Sequence, residues 1–298
     1  MSYNGADLIF PHLGIVIEKM KNHITIGNFD IMYYGIIIGV GFMIGMLIAD
    51  KLAAKRKMDT DALWGFYSYL IIFGVLGARL YYVLFNLDYY IQNPNKIFAI
   101  REGGLAIYGG IIAVVITLII YCSKKKQKFG QMIDVLIPGL LLGQLMGRWG
   151  NFFNCEAFGR YTDSLLAMRI KRSLVSPYMI DEELLNNLII DNGVEYIQVH
   201  PTFLYESLWN LFGFIFILWY ERKKQKFDGE LFLLYMIIYG TGRYWIEGLR
   251  TDSLYIAGTS LRVSQCLSAC IVIVSVIVLF VKYRKLKQEK CNLKDEVS

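Results

Sequence analysis

The stretch "VLIPGLLLGQLMGRWGNFFNCEAFGR", Val135 to Arg160, begins as a nearly continuous apolar run and ends in two arginines, two asparagines and a glutamate. Its first half has the composition of a helix in hydrocarbon, where each backbone group must find its partner inside the helix. Polar residues then crowd the end, where such a helix leaves the membrane or lines a cavity within it.

Working outward, seven apolar segments have about the 20 residues needed to cross roughly 30 Å of hydrocarbon. They are 31–50, 63–86, 104–122, 131–150, 202–220, 229–249 and 263–281. The 298 residues are 55% hydrophobic and only 19% charged, with a mean hydropathy of +0.42. Soluble domains carry more charge and less apolar residue. The pattern predicts an all-α polytopic membrane protein, a bundle of seven transmembrane helices.

Lys and Arg orient the bundle, because cytoplasmic loops carry an excess of them. The loop set 51–60, 123–129, 221–228 and 282–298 holds 18 basic residues in 42 positions, against 10 in 111 for the set 1–30, 87–103, 151–201 and 250–262. The expected topology has the N-terminus outside and the C-terminus cytoplasmic. It gives an external N-terminal arm over 1–30 lying on the membrane surface, a membrane domain over 31–281, an external head inserted at 161–199, and a basic cytoplasmic tail over 282–298. No cleavable signal peptide is expected, since the first 30 residues lack a basic start followed by an apolar core. Within the head, "LLAMRIKRSLV" alternates enough for a short strand and "IDEELLNNLIIDNG" reads as a helix ending at Gly193.

The net charge of +6 sits mostly in cytoplasmic loops, where it suits anionic lipid headgroups and does not imply nucleic-acid binding. The five cysteines and three histidines are scattered without metal-ligand or disulfide spacing, so no metal and no cofactor is expected.

Three arginines, Arg79, Arg148 and Arg243, fall within or at the ends of apolar segments. One arginine near a helix centre costs about 2.5–3.5 kcal/mol to insert, which cancels several leucines. Arg148 alone could snorkel to the interface. On a helix, however, Arg148, Asn151 and Cys155 share a face beside Gly147 and Gly150, with Asn154 and Glu156 where the helix ends. In "YGTGRYWIEGLRTD", Tyr239, Arg243, Glu247 and Arg250 form a second polar stripe, in which Arg243 and Glu247 also suit a structural ion pair. "VHPTFLYESLWN" sets His200 just before a helix and Glu206 one turn before Asn210. Tyr34, Arg79 with Tyr82, and Tyr108 behind a glycine-rich entry lie at the same end. A single interfacial tyrosine is ordinary. Polar groups sent to one end by four or five helices point to an external-facing site for an anionic, lipid-embedded substrate. The other readings are a transporter of an anionic lipid or other anion, and a structural scaffold. A transporter needs polar groups in the cytoplasmic half too, and that half is mostly Ile, Leu, Val and Phe.

The segments "GRWGNFFNCEAFGR", "HPTFLYE" and "YGTGRYWIEGLR" closely resemble the signature segments of the prolipoprotein diacylglyceryl transferases, and the resemblance extends to "MYYG", "GARLYYVLF" and "GGLAIYGG". Arg148, Gly150, Asn151, Asn154, Glu156 and Gly159 match that family's first motif in order and spacing; Tyr34, Tyr239, Arg243 and Glu247 match its other positions. Many members carry a histidine where this chain has Tyr108, and a glutamine where it has Phe203.

The resemblance implies an enzyme of the bacterial cytoplasmic membrane acting on phosphatidylglycerol and prolipoprotein signal peptides. The signal-peptide cysteine thiol would attack the glyceryl carbon, a thioether would form and glycerol phosphate would leave. Arg148 and Arg243 are then expected at the phosphate, with Glu247 holding Arg243. Asn151 and Asn154 would meet glycerol hydroxyls or phosphate oxygens, and Glu156 would orient them. Tyr34 and Tyr108 join the catalytic set; Gly159 and Tyr239 join the lipid site. Arg79, His200, Glu206 and Arg250 are expected in support.

Overall fold

The computed structural model describes all residues except 1–4, 101–102, 252, 257 and 296–298. The chain forms two compact units, one of residues 47–136 and one of residues 1–46 with 137–298.

A helix occupies each of the seven expected segments: α1 (Tyr33–Lys55), α2 (Thr60–Leu84), α4 (Ile107–Lys124), α5 (Phe129–Phe153), α7 (Thr202–Lys223), α8 (Glu230–Glu247) and α9 (Val263–Asp295). Two short helices, α3 (Leu87–Gln92) and α6 (Glu182–Asn186), lie in loops. Among the described residues, six helices are long and apolar enough to cross a membrane. The expected span that is not among them is α8, whose 18 residues include Glu230, Arg243 and Glu247. Three ionisable groups lower its hydropathy below that of its neighbours. The last helix also outruns its apolar segment, carrying the basic stretch after residue 281 on as helix to Asp295.

In the 47–136 unit, the Asp59 carboxylate caps α2 by accepting from the Ala62 amide at 3.0 Å. Small residues let α2 and α4 touch backbone to backbone: a Cβ added at Gly77 would stand 2.7 Å from the Gly109 carbonyl oxygen. Tyr121 on α4 donates its hydroxyl to the Ala62 carbonyl at 2.7 Å, fixing the far end of the pair.

In the other unit, the expectation of an all-α chain gives way to seven strands among the described residues. Strands β1 (Leu8–Phe10), β2 (Ile15–Ile17), β5 (Met168–Lys171), β6 (Ile189–Asp191) and β7 (Val194–Val199) make an antiparallel sheet in the order β2-β1-β5-β7-β6. The strand expected near Met168 is present. Within the expected N-terminal arm, residues 8–10 and 15–17 are two strands of this sheet, with Leu8 opposite Ile170. The apolar triplets "LIF" and "IVI" find cover there: Leu8 and Ile9 are fully buried. The helix expected to end at Gly193 is also shorter, stopping at Asn186. Asn192 and Gly193 both take positive φ, 49° and 76°, and make the two-residue turn of the β6–β7 hairpin. That turn matches the strand twist, so the Asn-Gly pair overrides helix continuation.

A second hairpin, β3 (His23–Ile26) with β4 (Phe29–Met32), leads directly into α1. Its register puts Ile24, Ile26, Phe29 and Ile31 on one exposed face. The five-stranded sheet packs Leu8, Met168, Ile170, Ile197 and Val199 against Phe152, Phe158 and Phe203, which fastens it over the ends of α5 and α7.

Candidate active site

Helix α5 ends at Phe153, and the chain after it turns through Cys155 and Ala157, both at positive φ (51° and 55°). This tight path folds Glu156 back toward the helix. Its Oε1 accepts from the Asn151 amide at 2.8 Å and from the Asn154 amide at 3.3 Å. Asn151 in turn accepts from Arg148 Nη1 at 3.3 Å. The motif is thus one connected chain, Arg148 to Asn151 to Glu156, with Asn154 joining at its end.

The motif loop is stitched to the start of α7. The Gly159 amide donates to the His200 carbonyl and the His200 amide to the Arg160 carbonyl, both at 3.0 Å, and the Thr202 hydroxyl donates to the Ala157 carbonyl. A Cβ at Gly159 would stand 2.8 Å from His200 Cβ and 2.9 Å from the Leu249 carbonyl oxygen, so glycine is required by close approach. Gly159 therefore holds the motif loop against His200 and Leu249. The His200 ring lies 3.2 Å from the Tyr205 hydroxyl, and burial holds its pKa below the ordinary histidine value, so it is neutral at pH 7.

Glu206 takes a position its spacing did not reveal. It is almost fully buried on α7, and three guanidiniums from two other segments converge on it: Arg148 at 2.7 Å, Arg250 at 3.6 Å and Arg243 at 3.7 Å. Arg243 also pairs with Glu247 at 2.6 Å, as its spacing predicts. Three guanidiniums and two carboxylates thus meet in one ion-paired set among the described residues. Arg148 and Arg243 keep 23% and 21% of their side chains exposed, so each has surface left for a ligand. Beside them is a small cleft lined by Glu206, Trp209, Asn210, Tyr239, Gly242, Arg243 and Ile246.

Tyr34 packs its ring on Gly150, where a Cβ would collide with it, and so sits within a turn of Arg148 and Asn151. Trp209 lies in the same way on Gly242 and donates its indole N–H to the Ile238 carbonyl at 2.8 Å. Trp149 donates to the Ser207 hydroxyl at 3.1 Å. These two tryptophan contacts escaped the sequence reading, although Trp209 is three residues after Glu206 and so shares its face.

Two expected residues belong to the 47–136 unit. Tyr108 is in the first turn of α4 and half exposed. Arg79 is buried, and its guanidinium donates to the carbonyls of Lys96, Ile97, Gly103 and Gly104 at 2.6–2.9 Å while lying over the Tyr90 ring. Those four acceptors give Arg79 a structural task, closing the loop before α4.

Cys155 shares the motif but is buried among Phe152, Phe158 and Val199, and burial, with Asp7 a lesser cause, pushes its thiol up to about 11. It is not a nucleophile near neutral pH. Cys155→Ala should keep transfer activity near the wild-type level, losing at most about 1 kcal/mol of packing; abolition of turnover in a folded variant would implicate this thiol in the chemistry.

The fold and the site define a helical membrane protein with a cluster of ion-paired arginines at the ends of its helices. The sequence profile of the prolipoprotein diacylglyceryl transferases matches residues 21–281. A phosphatidylglycerol–prolipoprotein diacylglyceryl transferase of Finegoldia magna is 43% identical over 261 residues, covering 88% of this chain and 94% of its own. The enzyme of the same name from Bacillus cereus is 40% identical over 276 residues, covering 93% of this chain and 96% of its own. The chain belongs to the prolipoprotein diacylglyceryl transferase family.

Proposed function

We propose that this protein transfers the diacylglyceryl group of phosphatidylglycerol to the signal-peptide cysteine of prolipoproteins, forming a thioether and releasing glycerol phosphate. The observation that carries the reading is the convergence of Arg148, Arg243 and Arg250 on Glu206 beside the Asn151–Glu156 network. Planar guanidiniums grip phosphate oxygens through paired hydrogen bonds. The same groups stabilise the charge that grows on the phosphate as the carbon–oxygen bond breaks. The attacking thiol must lose its proton, and electropositive surroundings lower its pKa. Glu206 and Glu247 hold the arginines in register before lipid arrives, so little is spent on ordering them. The named relatives are transferases, which favours transfer over the transport alternative. Incubating the purified protein with phosphatidylglycerol and a lipoprotein signal peptide should add a diacylglyceryl mass to the peptide cysteine; an unmodified peptide beside a folded, lipid-bound protein would refute it.

We place all seven long helices across the bacterial cytoplasmic membrane, with the N-terminus and sheet outside and the C-terminus in the cytoplasm. The basic-residue asymmetry supports this orientation, and α8 is tolerated in the bundle because Arg243 and Glu247 pair with each other. A cysteine substituted at exposed Lys125, just after α4, should react with an impermeant thiol reagent in inverted vesicles and not in intact cells. Labelling in intact cells would reverse the topology.

Tyr108 stands where relatives often have a histidine. A phenol with an ordinary pKa of about 10 is a poor base at neutral pH, yet it donates and accepts hydrogen bonds. From its position in the family pattern alone, we infer that its role is to orient the thiol or headgroup. Tyr108→His should remain active, and Tyr108→Phe should lose about 1–3 kcal/mol, roughly 5- to 150-fold in rate. Turnover against pH for the three forms is the check, beside Arg148→Ala. A phenylalanine variant as inactive as that arginine variant would make Tyr108 essential to the chemistry.

A further inference from the structure

Polar side chains continue below the arginines, where two membrane helices should be apolar. Gln144 is four residues before Arg148 on α5, and Tyr239 and Tyr235 are four and eight residues before Arg243 on α8. In each helix these residues share the arginine's face. The two stripes meet: the Gln144 amide nitrogen donates to the Tyr235 hydroxyl at 2.8 Å. Tyr235 stacks on Tyr239 at 5.7 Å between centroids, and Tyr239 lines the cleft with Glu206 and Arg243.

Gln144 Oε1 is buried and has no hydrogen-bond partner among the described residues. A hydroxyl serves an amide equally as donor or acceptor, so Tyr235 satisfies either end of the Gln144 amide and leaves the other unpaired. A buried polar atom without a partner is costly, and it marks a place where a ligand supplies the partner.

Resting on the transferase reading above, we propose that Gln144 is a binding residue for an ester carbonyl of the lipid's diacylglyceryl group, with Tyr235 orienting the amide. With the phosphate held by Arg148 and Arg243, the ester groups lie deeper in the membrane by the length of a glycerol backbone. One helical turn, about 5.4 Å, separates Arg148 from Gln144 along α5. For this the amide turns over about its terminal bond from the orientation in which its nitrogen donates to Tyr235: the Tyr235 hydroxyl then donates to Oε1, and the freed amide nitrogen donates to the carbonyl. An ester carbonyl drawn between helices has left its interfacial water, and the amide replaces that water. The reacting carbon lies between the phosphate and the esters, so the transferred group is held on both sides of the bond that breaks.

The site therefore distinguishes diacyl phosphatidylglycerol from its dialkyl ether analogue, which has the same headgroup and no carbonyls. Full-length protein should show kcat/KM higher for the ester lipid, roughly three- to tenfold, as one neutral hydrogen bond supplies. Gln144→Leu should abolish the preference and bring the two lipids to the same kcat/KM. Tyr235→Phe, which keeps the amide, should retain part of the preference. Equal kcat/KM for the two lipids in the wild type would overturn the proposal, as would a Gln144→Leu variant that loses both lipids alike, the result of a purely structural contact. Native mass spectrometry of the two bound lipids makes the same comparison without turnover. Ester-selective binding with no transfer of either lipid would sink the transferase reading and leave the role of Gln144 standing.

Discussion

Arg148→Lys should fold, insert and melt nearly as the wild type does, and lose about a hundredfold or more in transfer. The arginine bridges two partners with one rigid plane: Nη2 meets Glu206 at 2.7 Å and Nη1 meets Asn151 at 3.3 Å. A lysine ammonium keeps the charge, so Glu206 is not left alone. It cannot present two parallel donors to a phosphate while also holding Asn151. The loss should therefore fall on turnover and not on stability, with purified protein assayed for peptide modification and its apparent melting temperature followed in detergent. Near-normal turnover in the lysine form would rule out bidentate phosphate recognition by Arg148.

Glu206→Ala reverses that division. The carboxylate is the meeting point of three guanidiniums, and its removal leaves like charges facing one another in a largely buried space. Breaking a buried pair by deleting one partner costs about 3–5 kcal/mol, because the remaining charge is uncompensated. We expect a marked fall in melting temperature together with loss of transfer. Phosphatidylglycerol should restore more of the melting temperature in this variant than it adds to the wild type, since its phosphate supplies the missing negative charge. An alanine variant as stable as the wild type would show that Glu206 does not hold the arginines together.

Much of this was legible in the sequence because membrane insertion is a local property. An apolar run declares its own helix whatever lies beside it, and all seven long helices occur where such runs stand. Polar stripes were equally local: the Arg243–Glu247 pair and the Arg148–Asn151 contact follow from helical spacing. What tertiary structure decides was not legible. Glu206 read as a supporting residue because nothing in its own segment says that α5 and the α8 end will bring arginines to it. The five-stranded sheet was missed because its strands are short and its partners lie far apart in the chain; "LIF" cannot reveal that it pairs with "MRIK". The Asn192–Gly193 turn was a signal that could have been used, and the acidic helix start ahead of it, "DEELL", outweighed it.

The pairing of β1 with β5 also fixes an order of assembly. β1 pairs with β2 at once, but Leu8 also meets Ile170, so this hairpin waits for its second neighbour until α1 to α5 have been synthesised, and β7 joins only after that. The cost of closing so long a loop is offset late, by burial on the other strands and on Phe152, Phe158 and Phe203. Because the same sheet packs on the ends of α5 and α7, and Arg243 and Arg250 follow β7 in the chain, the arginine cluster cannot be complete until all of these have been made. A chain released early from the ribosome would have helices in the membrane and no working site, with apolar strand edges open to other chains or to proteases.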